Sequence, residues 1–240
     1  TINKAEVTAT VTPDDDTLTY GNNLPSLTAT INGETYKIES GKYTLLKDGV
    51  QAITGKVANN VGTYNIVRES VNISVLREKY PEKNYNITVE TVGTITINQA
   101  KLTVTVSLDK TELTYGEDSP IISYTFSGLK SSDKEEDFTI TKTELAEKLD
   151  AGTYTASVTL SGDKTKFYNI TVIEADFIVK QRDATITINE IKYIVYGDKV
   201  PDLSAKVDGV LDGDSLSYAL ETNYTVGAGK GEYTASVEFN

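Results

Sequence analysis

One six-residue punctuation occurs three times in this chain: Tyr20-Gly21-Asn22-Asn23-Leu24-Pro25, Tyr115-Gly116-Glu117-Asp118-Ser119-Pro120 and Tyr196-Gly197-Asp198-Lys199-Val200-Pro201. A turn that recurs in phase with its flanks marks an internal repeat. A repeat constrains the fold strongly, because each copy must be one small unit that stacks on its neighbours. The tyrosines are 95 and 81 residues apart. Units of that length can fold alone, though around small cores.

The flanks repeat as well. Before each turn stands an alternating run: Val7-Thr8-Ala9-Thr10-Val11, Leu102-Thr103-Val104-Thr105-Val106 and Ala184-Thr185-Ile186-Thr187-Ile188. Period-two patterning puts aliphatic side chains on one face of a strand and threonines on the other. After each proline comes a second such run, Leu27–Ile31, Ile122–Phe126 and Leu203–Val207, closed by Gly33, Gly128 and Gly209. A third signature is Gly62-Thr63-Tyr64, Gly152-Thr153-Tyr154 and Gly231-Glu232-Tyr233, where glycine supplies a turn and tyrosine restarts a strand. A fourth, Tyr85-Asn86-Ile87-Thr88-Val89, is matched by Tyr168-Asn169-Ile170-Thr171-Val172. The units close on Thr94–Ile97 and Asp176–Val179.

These signatures divide the chain into β repeats at 5–98, 99–180 and 181–240, the last lacking counterparts of the two closing strands. Residues 1–4 match Thr96-Ile97-Asn98-Gln99 and read as the last strand of a preceding repeat. The simplest reading of both ends is a window from a longer array. The alternative is a homopolymer by strand addition, one copy's first strand completing another's third repeat. The expected fold is all-β: small domains in a row, each a β-sandwich of immunoglobulin-like type or a β-grasp-like unit. One helical exception is expected at Lys142–Leu149, where Leu145 and Leu149 lie four apart among Glu and Lys.

Composition narrows the function. The net charge is −12, with 35 acidic against 23 basic residues, which opposes binding to a phosphate backbone. Cys, His, Met and Trp are absent, so there is no disulfide, thiolate metal site or Ser-His-Asp triad. No apolar run approaches the roughly 18 residues of a transmembrane helix. Paired carboxylates could in principle hydrolyse a glycoside, but nothing in the pattern singles out such a pair. No catalytic, cofactor-binding or metal-ligating residue is assigned.

Taken together, the Tyr-Gly-x-x-x-Pro turn, the Gly-x-Tyr restart and the Asn-Tyr-x-Ile-Thr-like strand resemble the MBG-type repeats, the YGX class of bacterial surface proteins. The resemblance implies an extracellular, cell-wall-linked or secreted protein, and non-catalytic modules that serve as the stalk of an adhesin. The function expected is therefore a structural spacer whose partners are neighbouring repeats of the same protein. The alternative is an adhesin module that binds a host glycan or protein through exposed tyrosines and the long middle loops Glu34–Asn60 and Lys130–Asp150, where the repeats differ most.

Three residue sets carry specific expectations. Tyr20, Tyr115 and Tyr196 are expected to pack at a domain edge with their hydroxyls on backbone partners. The acidic groups Asp14-Asp15-Asp16, Asp133 with Glu135-Glu136-Asp137, and Asp208 with Asp212 and Asp214 have no EF-hand spacing. They read as solvated turn residues, with Ca²⁺ as the alternative. Lys4 and Lys101, near first-strand starts, raise an intramolecular lysine–asparagine isopeptide bond to Asn98 or Asn189.

Overall fold

The computed structural model describes residues 2–130 and 132–239, with Gln51 and Ala52 described by backbone alone. Strand accounts for 46% of the chain and helix for 6%, so the fold is all-β. The chain forms two compact units: Thr1–Ser107 with Ile122–Thr143 and Ala156–Ala175, and Leu108–Ile121 with Glu144–Thr155 and Asp176–Asn240. The second repeat contributes strands to both.

The first repeat holds β1 (Ala5–Pro13), β2 (Thr17–Thr19), β3 (Leu27–Ile31), β4 (Glu34–Ile38), β5 (Thr44–Lys47), β6 (Val50–Thr54) and β7 (Gly62–Ile66). A helical turn α1 (Ser74–Arg77) follows, then β8 (Tyr85–Thr91) and β9 (Thr94–Asn98). Two mixed sheets result, in the orders β4-β3-β1-β8 and β2-β9-β7-β5-β6. The alternation read from the sequence is realised in β3, whose Leu27, Ala29 and Ile31 are buried while Thr28 and Thr30 are not. Both sheets send side chains into one core, among them Val11, Leu27, Leu45, Tyr64 and Ile95. The segment Glu34–Asn60, expected as a loop, supplies three strands. The first repeat's extra residues between Tyr64 and Tyr85 form α1, where the Asn72 side chain accepts the Ser74 N–H at 2.9 Å and Leu76 is fully buried.

The second repeat holds β10 (Ala100–Leu108), β11 (Glu112–Thr114), β12 (Ile122–Ser127), β13 (Thr139–Lys142), β14 (Gly152–Ala156), β15 (Val158–Ser161), β16 (Tyr168–Ile173) and β17 (Ala175–Lys180). The third holds β18 (Thr185–Ile188), β19 (Ala205–Asp208), β20 (Tyr218–Thr222) and β21 (Ala235–Phe239). Matching strands pair in matching registers. Parallel β1–β8 aligns Ala5 with Tyr85, and parallel β10–β16 aligns Ala100 with Tyr168. Parallel β2–β9 sets Thr19 opposite Asn98, as β11–β17 sets Thr114 opposite Lys180. Antiparallel β13–β15 pairs Lys142 with Val158, as β20–β21 pairs Leu220 with Val237.

Two expectations need correction or restriction. Lys142–Leu149 is not helical: Lys142 ends β13, and Thr143 extends the ladder, its N–H donating to Ser157 O at 3.0 Å and its hydroxyl accepting the Ser157 N–H at 2.8 Å. Strand pairing supplied by the neighbouring segment overrides a weak helical spacing of two leucines. Of the first-strand segment 1–4, Thr1 lies outside the described residues, while Ile2, Asn3 and Lys4 are exposed and outside any strand.

Candidate functional site

The Tyr-Gly steps share one local geometry. In each, the residue after glycine donates its N–H to the carbonyl of the residue before tyrosine: Asn22 to Thr19 at 3.0 Å, Glu117 to Thr114 at 2.9 Å and Asp198 to Val195 at 3.0 Å. The glycine lies at the third position of this four-residue turn with φ of 81°, 93° and 92°. A type II turn needs φ above zero there, which explains the glycine.

The register of β2 on β9 then places the first tyrosine at the exit of its own repeat. The Tyr20 N–H donates to Asn98 O at 2.8 Å, and the Tyr115 N–H donates to Lys180 O at the same distance. The first two turns are thus pinned to the last residues of β9 and β17.

From that position the Tyr20 side chain enters a pocket built by the second repeat. Its ring stacks on Phe167, centroids 4.8 Å apart, and meets Tyr168 edge-on at 5.5 Å. Its hydroxyl donates to Asp133 Oδ2 at 2.9 Å. The Tyr168 hydroxyl donates to the same oxygen at 2.6 Å and accepts the Lys130 N–H at 3.0 Å. Lys164 Nζ reaches Asp133 Oδ1 at 2.6 Å. Only 1% of the Asp133 side chain is exposed, yet each carboxylate oxygen has a donor. A buried charge is tolerable when it is paired and hydrogen-bonded.

Titration follows from these partners. Burial alone would raise the Asp133 carboxyl, but the bonds from Lys164, Tyr168 and Tyr20 outweigh it and hold the group below the usual carboxylate range. Burial, with the carboxylate as hydrogen-bond partner, pushes Tyr20 and Tyr168 up. The hydrogen bond to Asp133 raises Lys164.

The second turn has an open version of the same arrangement. Lys148 Nζ lies 4.6 Å from the Tyr115 ring centroid and 3.1 Å from Asp214 Oδ1. Hydrogen bonds from Lys148 and Tyr115 lower the Asp214 carboxyl. Asp133 and Asp214 occupy the same place in their repeats, five residues after Gly128 and Gly209. The third turn is different: Tyr196 is 79% exposed.

The residues singled out from the sequence therefore divide. Tyr20 packs as expected, but its hydroxyl finds a carboxylate rather than the backbone. Tyr115 is half-buried, and Tyr196 does not pack at an edge. Asp133 is no solvated turn residue; it is the buried centre of the joint. What could have revealed it was the equal offset of Asp133 and Asp214 from their hairpin glycines. Asp14 accepts a bond from the Thr28 hydroxyl of β3, and Asp15 and Asp16 accept bonds from the Thr17 N–H and hydroxyl. Among the described residues no group of acidic side chains is gathered as a metal site. Lys4 and Lys101 are exposed. Two shallow depressions of about 500 and 610 Å³ are lined by Arg68, Glu69 and Glu90, and by Asp14, Asp15 and Asp16, with no aromatic ring in either.

The architecture is that of an all-β protein in which a Tyr-Gly turn recurs with one local geometry. Residues 102–178 match the family model described as MBG domain (YGX type), so the second repeat is similar to the family that the Tyr-Gly pattern indicated. No curated protein and no solved structure matches the chain. Among the described residues no helix is long and apolar enough to cross a membrane.

Proposed function

We propose that this chain is a non-catalytic spacer segment of a bacterial surface protein, working outside the cell without a cofactor, with neighbouring repeats as its partners. The observation that carries the reading is the Tyr20–Asp133 joint. It places a buried, charge-assisted network where a flexible linker would otherwise sit. Short connections and a bonded joint limit the angles open to adjacent repeats, which is the mechanical requirement for a spacer. The MBG resemblance supports the setting. The segment Glu34–Asn60, where the repeats diverge, is built into sheets rather than left as binding loops, and the two surface depressions lack the aromatic platform that sugar stacking uses.

A double-label experiment tests this. The chain has no native cysteine, so Glu39→Cys and Thr171→Cys label the first and second repeats without background. The distance distribution between the labels is expected to be narrow, to broaden in Asp133→Ala and to stay unchanged with chelator. In parallel the chain is screened against glycans and matrix proteins. A broad distribution in the unmodified joint, or specific binding in the screen, would replace the spacer with the adhesin.

A further inference from the structure

The strand that opens with Tyr85 in the first repeat is the counterpart of the one that opens with Tyr168 in the second. The two tyrosines hold the same register, opposite Ala5 and Ala100. Against Tyr168 the second repeat takes Tyr20, a ring from outside it, edge-on at 5.5 Å and 75°. Against Tyr85 the first repeat places a ring of its own. Tyr80 meets Tyr85 edge-on at 5.3 Å and 88°, and is only 7% exposed.

The surroundings repeat too. In the second repeat a carboxylate shortly after the hairpin glycine, Asp133 after Gly128, takes the Tyr168 hydroxyl at 2.6 Å and the Lys164 ammonium. In the first, Glu34 directly after Gly33 takes the Tyr36 hydroxyl at 2.6 Å and the ammonium of Lys79, the neighbour of Tyr80. The Tyr36 ring in turn meets the Tyr80 ring edge-on at 6.4 Å.

What carries Tyr80 to this place is length. Tyr64 to Tyr85 spans 21 residues, and Tyr154 to Tyr168 spans 14. The longer segment makes room for α1, anchored by the fully buried Leu76, whose carbonyl accepts the Tyr80 N–H at 2.9 Å. Arg77 then donates to Tyr85 O at 3.2 Å, tying the segment to the strand it covers. A tethered occupant holds its place at an effective concentration on the order of millimolar.

We infer that the segment 71–84 is a plug: through Tyr80 it closes the first repeat's tyrosine socket against an incoming Tyr-Gly turn. The first repeat donates a turn, through Tyr20, and accepts none, which gives the joint a direction. A site filled from within rejects partners by exclusion, a recognised route to specificity. The inference rests on reading Tyr20–Asp133 as a joint between repeats.

The test grafts the plug onto the second repeat. Residues 71–84 replace 161–167, once unchanged and once with Tyr80→Ala, and thermal melts confirm folding. Nitration of Tyr20 by tetranitromethane is read by peptide mass spectrometry. The unchanged graft is expected to expel Tyr20 and raise its nitration at least tenfold, and the alanine graft to keep it within threefold of the unmodified chain. Protection of Tyr20 in the unchanged graft, or its release in both grafts, would overturn the inference. A second measurement needs no graft: p-cresol, the tyrosine side chain without its backbone, is titrated into Tyr80→Ala and Tyr20→Ala. Truncating a buried side chain leaves a cavity that a small aromatic molecule can fill. Saturable one-to-one binding, within tenfold of each other, is expected for the two variants and none for the unmodified chain. A folded Tyr80→Ala that takes up no p-cresol would also overturn the plug. The spacer reading is judged on the label distances in the unmodified chain, so the two fail separately.

Discussion

Among the described residues Asp133 is the charged side chain buried with the core, and its removal has a definite expected result. Asp133→Ala leaves two tyrosine hydroxyls facing a gap, while Lys164, a third exposed, can turn to water. The loss is therefore that of the unsatisfied hydroxyls, about 1–3 kcal/mol each. Tyr20→Phe removes a single bond to a charged group, for about 1.5–3 kcal/mol. Urea titration followed by tyrosine fluorescence measures both. A double-mutant cycle with Asp133→Asn is expected to show coupling, since the two groups share one bond. Additive effects would mean that Tyr20 contributes its ring and not its hydroxyl. The sequence marks Tyr20 plainly, because it belongs to a repeated turn. Asp133 is hidden among Glu135, Glu136 and Asp137: composition shows a charge run, and only the fold selects which carboxylate faces inward.

Within the Tyr-Gly turn, two separate reasons for a glycine can be told apart. All three glycines need positive φ, which costs another residue about 1–2 kcal/mol. Gly21 also lies against Lys130, where an added methyl meets the Cβ rather than the flexible end of that side chain. Overpacking of this sort adds about 1–3 kcal/mol. Gly197→Ala is therefore expected to show only the conformational cost, and Gly21→Ala visibly more, in paired thermal melts. Equal losses would mean that the following repeat does not press on the turn. The strands themselves were legible. The threonine–aliphatic alternation predicts β1, β3, β10 and β12, and the structure has them. The failed helix at Lys142–Leu149 and the unread strands β4 to β6 share one cause. Their patterns are too short to fix a period alone, and cross-strand pairing decides them.

Across the molecule, the joint makes stability depend on pH at both ends. Asp133 is depressed in the folded state, so the unfolded chain binds more protons just below the ordinary carboxylate pKa. Its contribution is present above about pH 4 and is lost as pH falls further. Tyr20, Tyr168 and Lys164 are raised, so the folded chain holds their protons more tightly, and stability is lost as pH rises above about 10. Urea midpoints across the pH range are expected to be flat between these limits, with the acid limb shallower in Asp133→Asn. An unchanged acid limb in that variant would place the titrating group elsewhere. The repeat, the all-β class and the type of turn follow from the order of residues alone, because they depend on periodicity and on glycine's freedom at positive φ, both local properties. Which carboxylate is buried, which tyrosine is covered and which turn stands open were settled only by packing. Those outcomes depend on contacts between residues far apart in sequence, such as Tyr20 and Asp133, and their one local trace is the equal spacing of Asp133 and Asp214 from Gly128 and Gly209.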